Sequence, residues 1–186
     1  MNRLANVKRV KQFVYIVLTL LLFSRMQHIA AGSTIFHLKM QTFTSIGTPS
    51  LTLQNITSSF IYMNNTSAKV TVSNGTNNLD VLQILNQTND NWQLQLIRYD
   101  DANIARLTNC TIWLHDETTT SVQIKIVDGI YTQTSGNLYG FTINTNITIT
   151  AATNVTGTSL IHTYLKILKP ETSTYFLYII TFEIAD

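Results

Sequence analysis

Leu138-Tyr139-Gly140-Phe141-Thr142-Ile143-Asn144-Thr145-Asn146-Ile147-Thr148-Ile149-Thr150 is the run on which the fold is decided. Tyr139, Phe141, Ile143, Ile147 and Ile149 fall on one phase of a two-residue period, and Thr142, Asn144, Asn146 and Thr148 on the other. Successive side chains of a strand point to opposite faces, so this run reads as a strand with one face in a core and one in water. The same period recurs along the chain, with no convincing 3.6-residue repeat. In 121–128 it sets Val122, Ile124 and Ile126 against Gln123 and Lys125, and in 92–99 it sets Trp92, Leu94 and Leu96 against Gln93 and Gln95.

The final run carries Phe176, Tyr178, Ile180, Phe182 and Ile184 on one face and Tyr175, Leu177 and Ile179 on the other, which reads as a central strand covered on both sides. Strands are expected at 34–43, 51–63, 68–73, 79–85, 92–99, 104–115, 121–128, 138–150, 159–168 and 174–185. Asn74-Gly75, Asn89-Asp90-Asn91, Asp128-Gly129, Ser135-Gly136-Asn137 and Lys169-Pro170 punctuate them as turns. The expectation is an all-β chain: a single β-sandwich, immunoglobulin-like or jelly-roll-like, of about 9–10 strands.

Composition agrees. Of 186 residues only 12% are charged, 45% are hydrophobic, and Thr and Asn number 29 and 17. A charge-rich disordered chain, a coiled coil and a basic nucleic-acid binder are excluded. Five cations (Arg3, Lys8, Arg9, Lys11, Arg25) lie in the first 25 residues, which hold no acid, so the pI of 8.7 belongs to that end. From Ser33 onward acids outnumber cations, and neither nucleic acid nor an anionic membrane is an expected partner.

Residues 1–32 carry a basic stretch, an eleven-residue apolar run from Phe13 to Phe23, and small residues at Ala30-Ala31-Gly32. The run is too short for the roughly 20 residues of a membrane-spanning helix. It reads as a signal peptide removed on export, and secretion to the cell exterior is expected. The remaining domains are 33–46, an N-terminal arm, and 47–186, the sandwich. Cys110 is the single cysteine and alternates with Ile112 and Leu114, as a buried residue would.

Asn-x-Ser/Thr occurs at Asn55, Asn64, Asn65, Asn74, Asn86, Asn109, Asn146 and Asn154. That is roughly twice the chance number for this composition, and covalent N-glycans on an exported chain are expected.

The arm, Ser33-Thr34-Ile35-Phe36-His37-Leu38-Lys39-Met40-Gln41-Thr42-Phe43, is itself amphipathic, and Ile46-Gly47-Thr48-Pro49 interrupts it. It admits two readings: the first strand of its own sandwich, or a donor strand that inserts into a neighbouring subunit. Burying Phe36, Leu38, Met40 and Ile46 gives roughly 6–12 kcal/mol before ordering costs. Donor and acceptor surfaces differ, so the second reading gives a head-to-tail polymer.

These features together resemble the archaeal threads and, more loosely, the archaeal bundling pilins. The shared features are a cleaved leader without a pilin helix, a Thr/Asn-rich sandwich with many sequons, and an amphipathic strand at the mature N-terminus. The resemblance covers the whole chain and rests on architecture, without a short diagnostic motif. It implies identical subunits joined by donor strands into a glycosylated surface filament for adhesion and cell–cell contact. The donor positions would be Ile35, Phe36, His37, Leu38, Lys39, Met40, Gln41, Thr42 and Phe43, with the eight sequon asparagines carrying sugar.

Little points to catalysis. His37, His115 and His162 lack metal-ligand spacing, and no metal or other cofactor is expected. Asp100-Asp101 and Asp116-Glu117 read as solvated strand ends, and His115 and Asp116, being adjacent in a strand, point apart. No enzyme is expected. The competing reading is a monomeric secreted glycan-binding module, with Tyr99 and Trp113 on the polar phase of their strands as sugar-stacking rings.

Overall fold

The computed structural model describes residues 35–38, 51–88 and 90–186. The expected signal peptide, Lys39 to Phe43 of the arm and the 47–50 start of the sandwich domain lie outside the described residues. Strand follows strand: β1 (Ile35–Leu38), β2 (Leu51–Asn55), β3 (Phe60–Met63), β4 (Ser67–Ser73), β5 (Thr76–Asn86), β6 (Trp92–Ala102) and β7 (Leu107–His115). Then come β8 (Thr120–Val127), β9 (Ile130–Gln133), β10 (Tyr139–Phe141), β11 (Thr145–Thr153), β12 (Ser159–Lys169) and β13 (Thr174–Ala185). Single 3-10 turns at Ile104–Arg106 and Pro170–Thr172 are the helical elements among the described residues.

Sheet 1 has the order β1-β2-β5-β11-β7-β8-β9, and sheet 2 the order β10-β6-β12-β13-β4-β3. Pairing is antiparallel except between β13 and β4, which run parallel. Leu53, Ile84, Ile112, Leu114, Ile147 and Ile149 of sheet 1 and Leu94, Leu96, Ile161, Tyr178, Ile180 and Phe182 of sheet 2 are at most 1% exposed. The all-β, two-sheet expectation is met.

Several details differ from the sequence reading. The 51–63 run is two strands, β2 in sheet 1 and β3 in sheet 2. The 138–150 run is also two: β10 pairs with β6, and after Thr142-Ile143-Asn144 the chain crosses to sheet 1 as β11. Ile143, expected in the core, is 42% exposed at the crossing. Ile104–Arg106 is a 3-10 turn entered through Asn103 at φ 58°, so that strand starts at Leu107.

In β8 the phase slips. Ile112 faces Ile124 but Trp113 faces Val122, leaving Gln123 as the extra residue of a bulge. Gln123 turns inward at 0% exposure, and Val122, expected inside, is 38% exposed. Lastly β13 is central as expected, but its second face is open: Tyr175 and Leu177 are 60% and 42% exposed, and among the described residues no further layer covers sheet 2.

Candidate functional site: the N-terminal strand and the sheet faces

β1 lies antiparallel on β2, with Ile35 opposite Gln54, Phe36 opposite Leu53, His37 opposite Thr52 and Leu38 opposite Leu51. It is the outermost strand of sheet 1, and β2 pairs on its other side with β5. β2 is itself core: Leu51, Thr52 and Leu53 are at most 2% exposed, and Gln87 Nε2 donates to Thr52 Oγ1 at 3.0 Å. Twelve residues, 39–50, join β1 to β2, although Leu38 and Leu51 stand opposite each other. Of the expected donor segment, then, the structure places Ile35–Leu38, and places it in the chain's own sheet.

The sequons divide by environment. Asn64, Asn65, Asn74, Asn109 and Asn154 are exposed, while Asn55, Asn86 and Asn146 are half-buried. Asn86 is tied down, its Nδ2 donating to the carbonyls of Asp90 (3.1 Å) and Thr142 (3.0 Å) while Oδ1 accepts from Thr88 N. Asn74 Nδ2 donates to Asp186 Oδ1 at 3.0 Å, and its Oδ1 accepts from Thr153 N at 2.7 Å. Asn64 Oδ1 closes its own turn by accepting from the backbone N–H groups of Thr66 and Ser67.

Of the two expected stacking rings, Tyr99 is 41% exposed on the outer face of sheet 2, while Trp113 on sheet 1 is half-buried. Tyr99 stacks on Tyr164 with centroids 4.2 Å apart and lies 5.8 Å from the His162 ring. Burial first, then Tyr164, Asp100 and Tyr62 nearby, raises the Tyr99 phenol pKa. The sequence offered no sign of this cluster, because Tyr99 and Tyr164 meet only through the β6–β12 register.

A polar network on sheet 1 was also not legible. His115 Nε2 lies 3.1 Å from Asp80 Oδ1 and 2.6 Å from Thr148 Oγ1, Thr148 donates to Asp80, and Asn146 Nδ2 donates to Asp80 Oδ2 at 3.0 Å. Burial opposes ionisation of Asp80, but the hydrogen bonds from Thr148, His115 and Asn146 outweigh it and hold its carboxyl below the ordinary value. Acid and hydroxyl meet the same imidazole nitrogen. A nucleophilic triad needs them on opposite nitrogens, so the network positions side chains without the geometry of that chemistry.

Asp116, the other partner considered for His115, accepts instead from the backbone N–H groups of Thr118 (2.8 Å) and Thr119 (2.9 Å) in its own turn. Asp101 pairs with Arg98. An open cleft of ≈530 Å³ at this end of the sandwich is lined by Trp92, Asp116, Thr118, Phe141, Ile143 and Pro170 among others. Among the described residues no group of three or more His, Cys, Asp or Glu side chains could hold a metal ion, and no helix is long and apolar enough to cross a membrane.

No protein-family model matches this chain, and neither does any curated protein. Among solved structures it is similar to the CooA pilin subunit of enterotoxigenic Escherichia coli, with 10% identity, a TM-score of 0.40, and 74% of this chain and 98% of that one covered. It is similar to a family 123 glycoside hydrolase of Clostridium perfringens at 9% identity and a TM-score of 0.39, covering 74% of this chain but 27% of that one. A PapD-like domain of human CEP192 gives 10% identity, a TM-score of 0.37, and 81% and 99% coverage. Likenesses this distant carry no argument about activity or assembly.

Proposed function

We propose that this chain is an exported structural subunit, without catalytic activity, that polymerises by passing its N-terminal strand to the next copy. The polymer is a glycosylated extracellular filament serving adhesion. One observation carries the reading: β1 is the outermost strand of sheet 1 among the described residues, and twelve residues of sequence, 39–50, separate it from β2. Twelve residues extend to roughly 40 Å, enough to reach a neighbouring copy. The register that β1 makes with its own β2 is equally available to a neighbour's β1, so exchange conserves the pairing and trades one identical contact for another. Leaving the β2 edge unpaired would expose a row of N–H and C=O groups, so the edge is filled in either state.

The test is the molar mass, by light scattering, of residues 33–186 and of the same chain carrying Phe36→Pro and His37→Pro. Of two successive strand residues, one directs its N–H toward the partner strand, so the pair of prolines breaks the ladder whichever that is. Open polymers for the parent and a folded species no larger than a dimer for the variant are the expected result. A parent that never exceeds a dimer at any concentration would sink the proposal. The glycan-binding reading would then lead, and the exposed Tyr99–Tyr164 stack favours it.

A further inference from the structure

Outward strand residues facing water are normally polar, and the outer face of sheet 2 departs from this. Ile97 of β6, Tyr164 of β12 and Ile179 of β13 stand in one cross-strand row over the three strands β6, β12 and β13. Around the row are Tyr99, Tyr175 and Leu177, between 41% and 60% exposed, and Tyr62, 46% exposed, on β3 opposite Lys69. With ~200 Å² for a whole aromatic side chain, the exposed parts of these groups amount to roughly 500 Å², the upper end of what one patch on a monomer shows.

We propose that this face docks on the same face of a second copy of the chain, about a two-fold axis lying along the Ile97–Tyr164–Ile179 row. Such an axis reverses strand direction across the contact and sets each residue of the row against its own counterpart. On β12, His162 and Lys166 lie two residues to either side of Tyr164, and Asp100 is the cross-strand partner of His162. The axis therefore lays Lys166 of one copy opposite His162 of the other, with that copy's Asp100 beside it on the next strand, and does so twice. Two patches bury about 1,000 Å², the area at which specific interfaces begin, before the polar rim is added.

The sequons within strands lie on sheet 1, in β2, β5, β7 and β11, and none is on β6, β12 or β13, while Asn64 and Asn65 border the Ile179 end of the row in the β3–β4 turn. The contact uses the sheet opposite to β1, closes at two copies, and does not depend on strand exchange.

The test uses the mature chain with Ile179→Cys and a short bismaleimide, whose span suits sheets packed about 10 Å apart. Cys110 does not compete, being 1% exposed with its thiol pKa pushed up by burial to about 12. The control is Val122→Cys, 38% exposed on the outer face of sheet 1. On a denaturing gel, where exchanged strands come apart, Ile179→Cys should give cross-linked dimer roughly tenfold faster than the control, the scale of one contact's loss. Adding Asp100→Lys or Lys166→Asp should slow it, and adding both should restore it. Cross-linking no faster than the control overturns the contact, and a rate blind to the single charge reversals overturns the axis. Absence of cross-linking together with quenching of tyrosine fluorescence by a soluble oligosaccharide also overturns it, and assigns the face to sugar.

Discussion

Gln123 is where one side chain holds two sheets in register. Its Oε1 accepts from the Leu96 N–H of sheet 2 at 2.9 Å, and its Nε2 donates to Ser121 Oγ at 2.8 Å and to the Asn137 carbonyl at 3.4 Å. Gly136 makes room for it, since a Cβ there would sit 2.1 Å from the Gln123 amide carbon. Gln123→Leu leaves the Leu96 N–H buried without its acceptor, and should cost about 1–3 kcal/mol in urea unfolding. Gly136→Ala should cost a similar amount by displacing the same amide. The double variant Gly136→Ala with Gln123→Ala should be no worse than Gln123→Ala alone, because both changes break one contact. A fully additive loss would show that Gly136 has a separate role. Asp116 supplies the pH dependence. Burial opposes its ionisation, but hydrogen bonds from Tyr139, Thr118 and Thr119 prevail and hold the carboxyl well below its usual range. A lowered folded-state pKa stabilises above the unfolded value, and that stabilisation is lost as pH falls. Asp116→Ala should therefore cost about 1 kcal/mol at pH 6. The gap to the parent should narrow steadily below about pH 4, where an unfolded carboxyl takes up its proton. A gap that is constant from pH 6 to pH 2 would contradict the assignment.

At the scale of elements, alternation located nearly every strand but not the sheet to which each belongs. Tyr139, Phe141, Thr145, Ile147 and Ile149 are all buried and all on one phase, yet the first two lie in sheet 2 and the rest in sheet 1. Both sheets face one core, so a chain can step from one to the other without breaking the pattern. The bulge at Gln123 does the reverse, moving the phase inside one strand, and a buried Gln gives no warning of it. β9 was missed for another reason: the Asp128-Gly129 turn is plain, but Ile130-Tyr131-Thr132-Gln133 after it is too short to show a period. Asp128 at φ 49° and Gly129 at φ 74° make the two-residue hairpin that aims β9 back along β8. A Cβ on Gly129 would also come within 2.7 Å of the Ala105 backbone, whereas Gly75, at φ 72°, has nothing within 4 Å of that position. Gly129→Ala should thus cost about 1–3 kcal/mol and Gly75→Ala about 1 kcal/mol. Amide exchange should report the first as opening of β9 alone. Equal losses at the two glycines would show that the Ala105 contact is immaterial.

Across the whole molecule the two described ends of the chain carry opposite structural weight. β1 sits at the outer edge of sheet 1 and meets one strand, β2. β13 sits inside sheet 2, antiparallel to β12 on one side and parallel to β4 on the other, and it buries Tyr178, Ile180, Phe182 and Ile184. Beyond it, Asp186 accepts from Asn74 Nδ2, Thr153 Oγ1 and the Gly157 N–H, drawing the β4–β5 turn and the β11–β12 connection together. Removing β13 would separate the β10-β6-β12 half of sheet 2 from β4-β3 and strip four large side chains from the core. At ~1.5–3 kcal/mol for each buried side chain, that loss is as large as the whole stability of an ordinary domain. A chain ending at Ser173 should consequently show no cooperative unfolding transition. A chain beginning at Leu51 should keep one, at reduced denaturant midpoint, since among the described residues it forfeits a single edge pairing. Circular dichroism through a urea titration distinguishes them. Loss of the transition in the N-terminal truncation would show that β1 belongs to the domain's own core, and strand exchange would then have to unfold each subunit before joining it to the next.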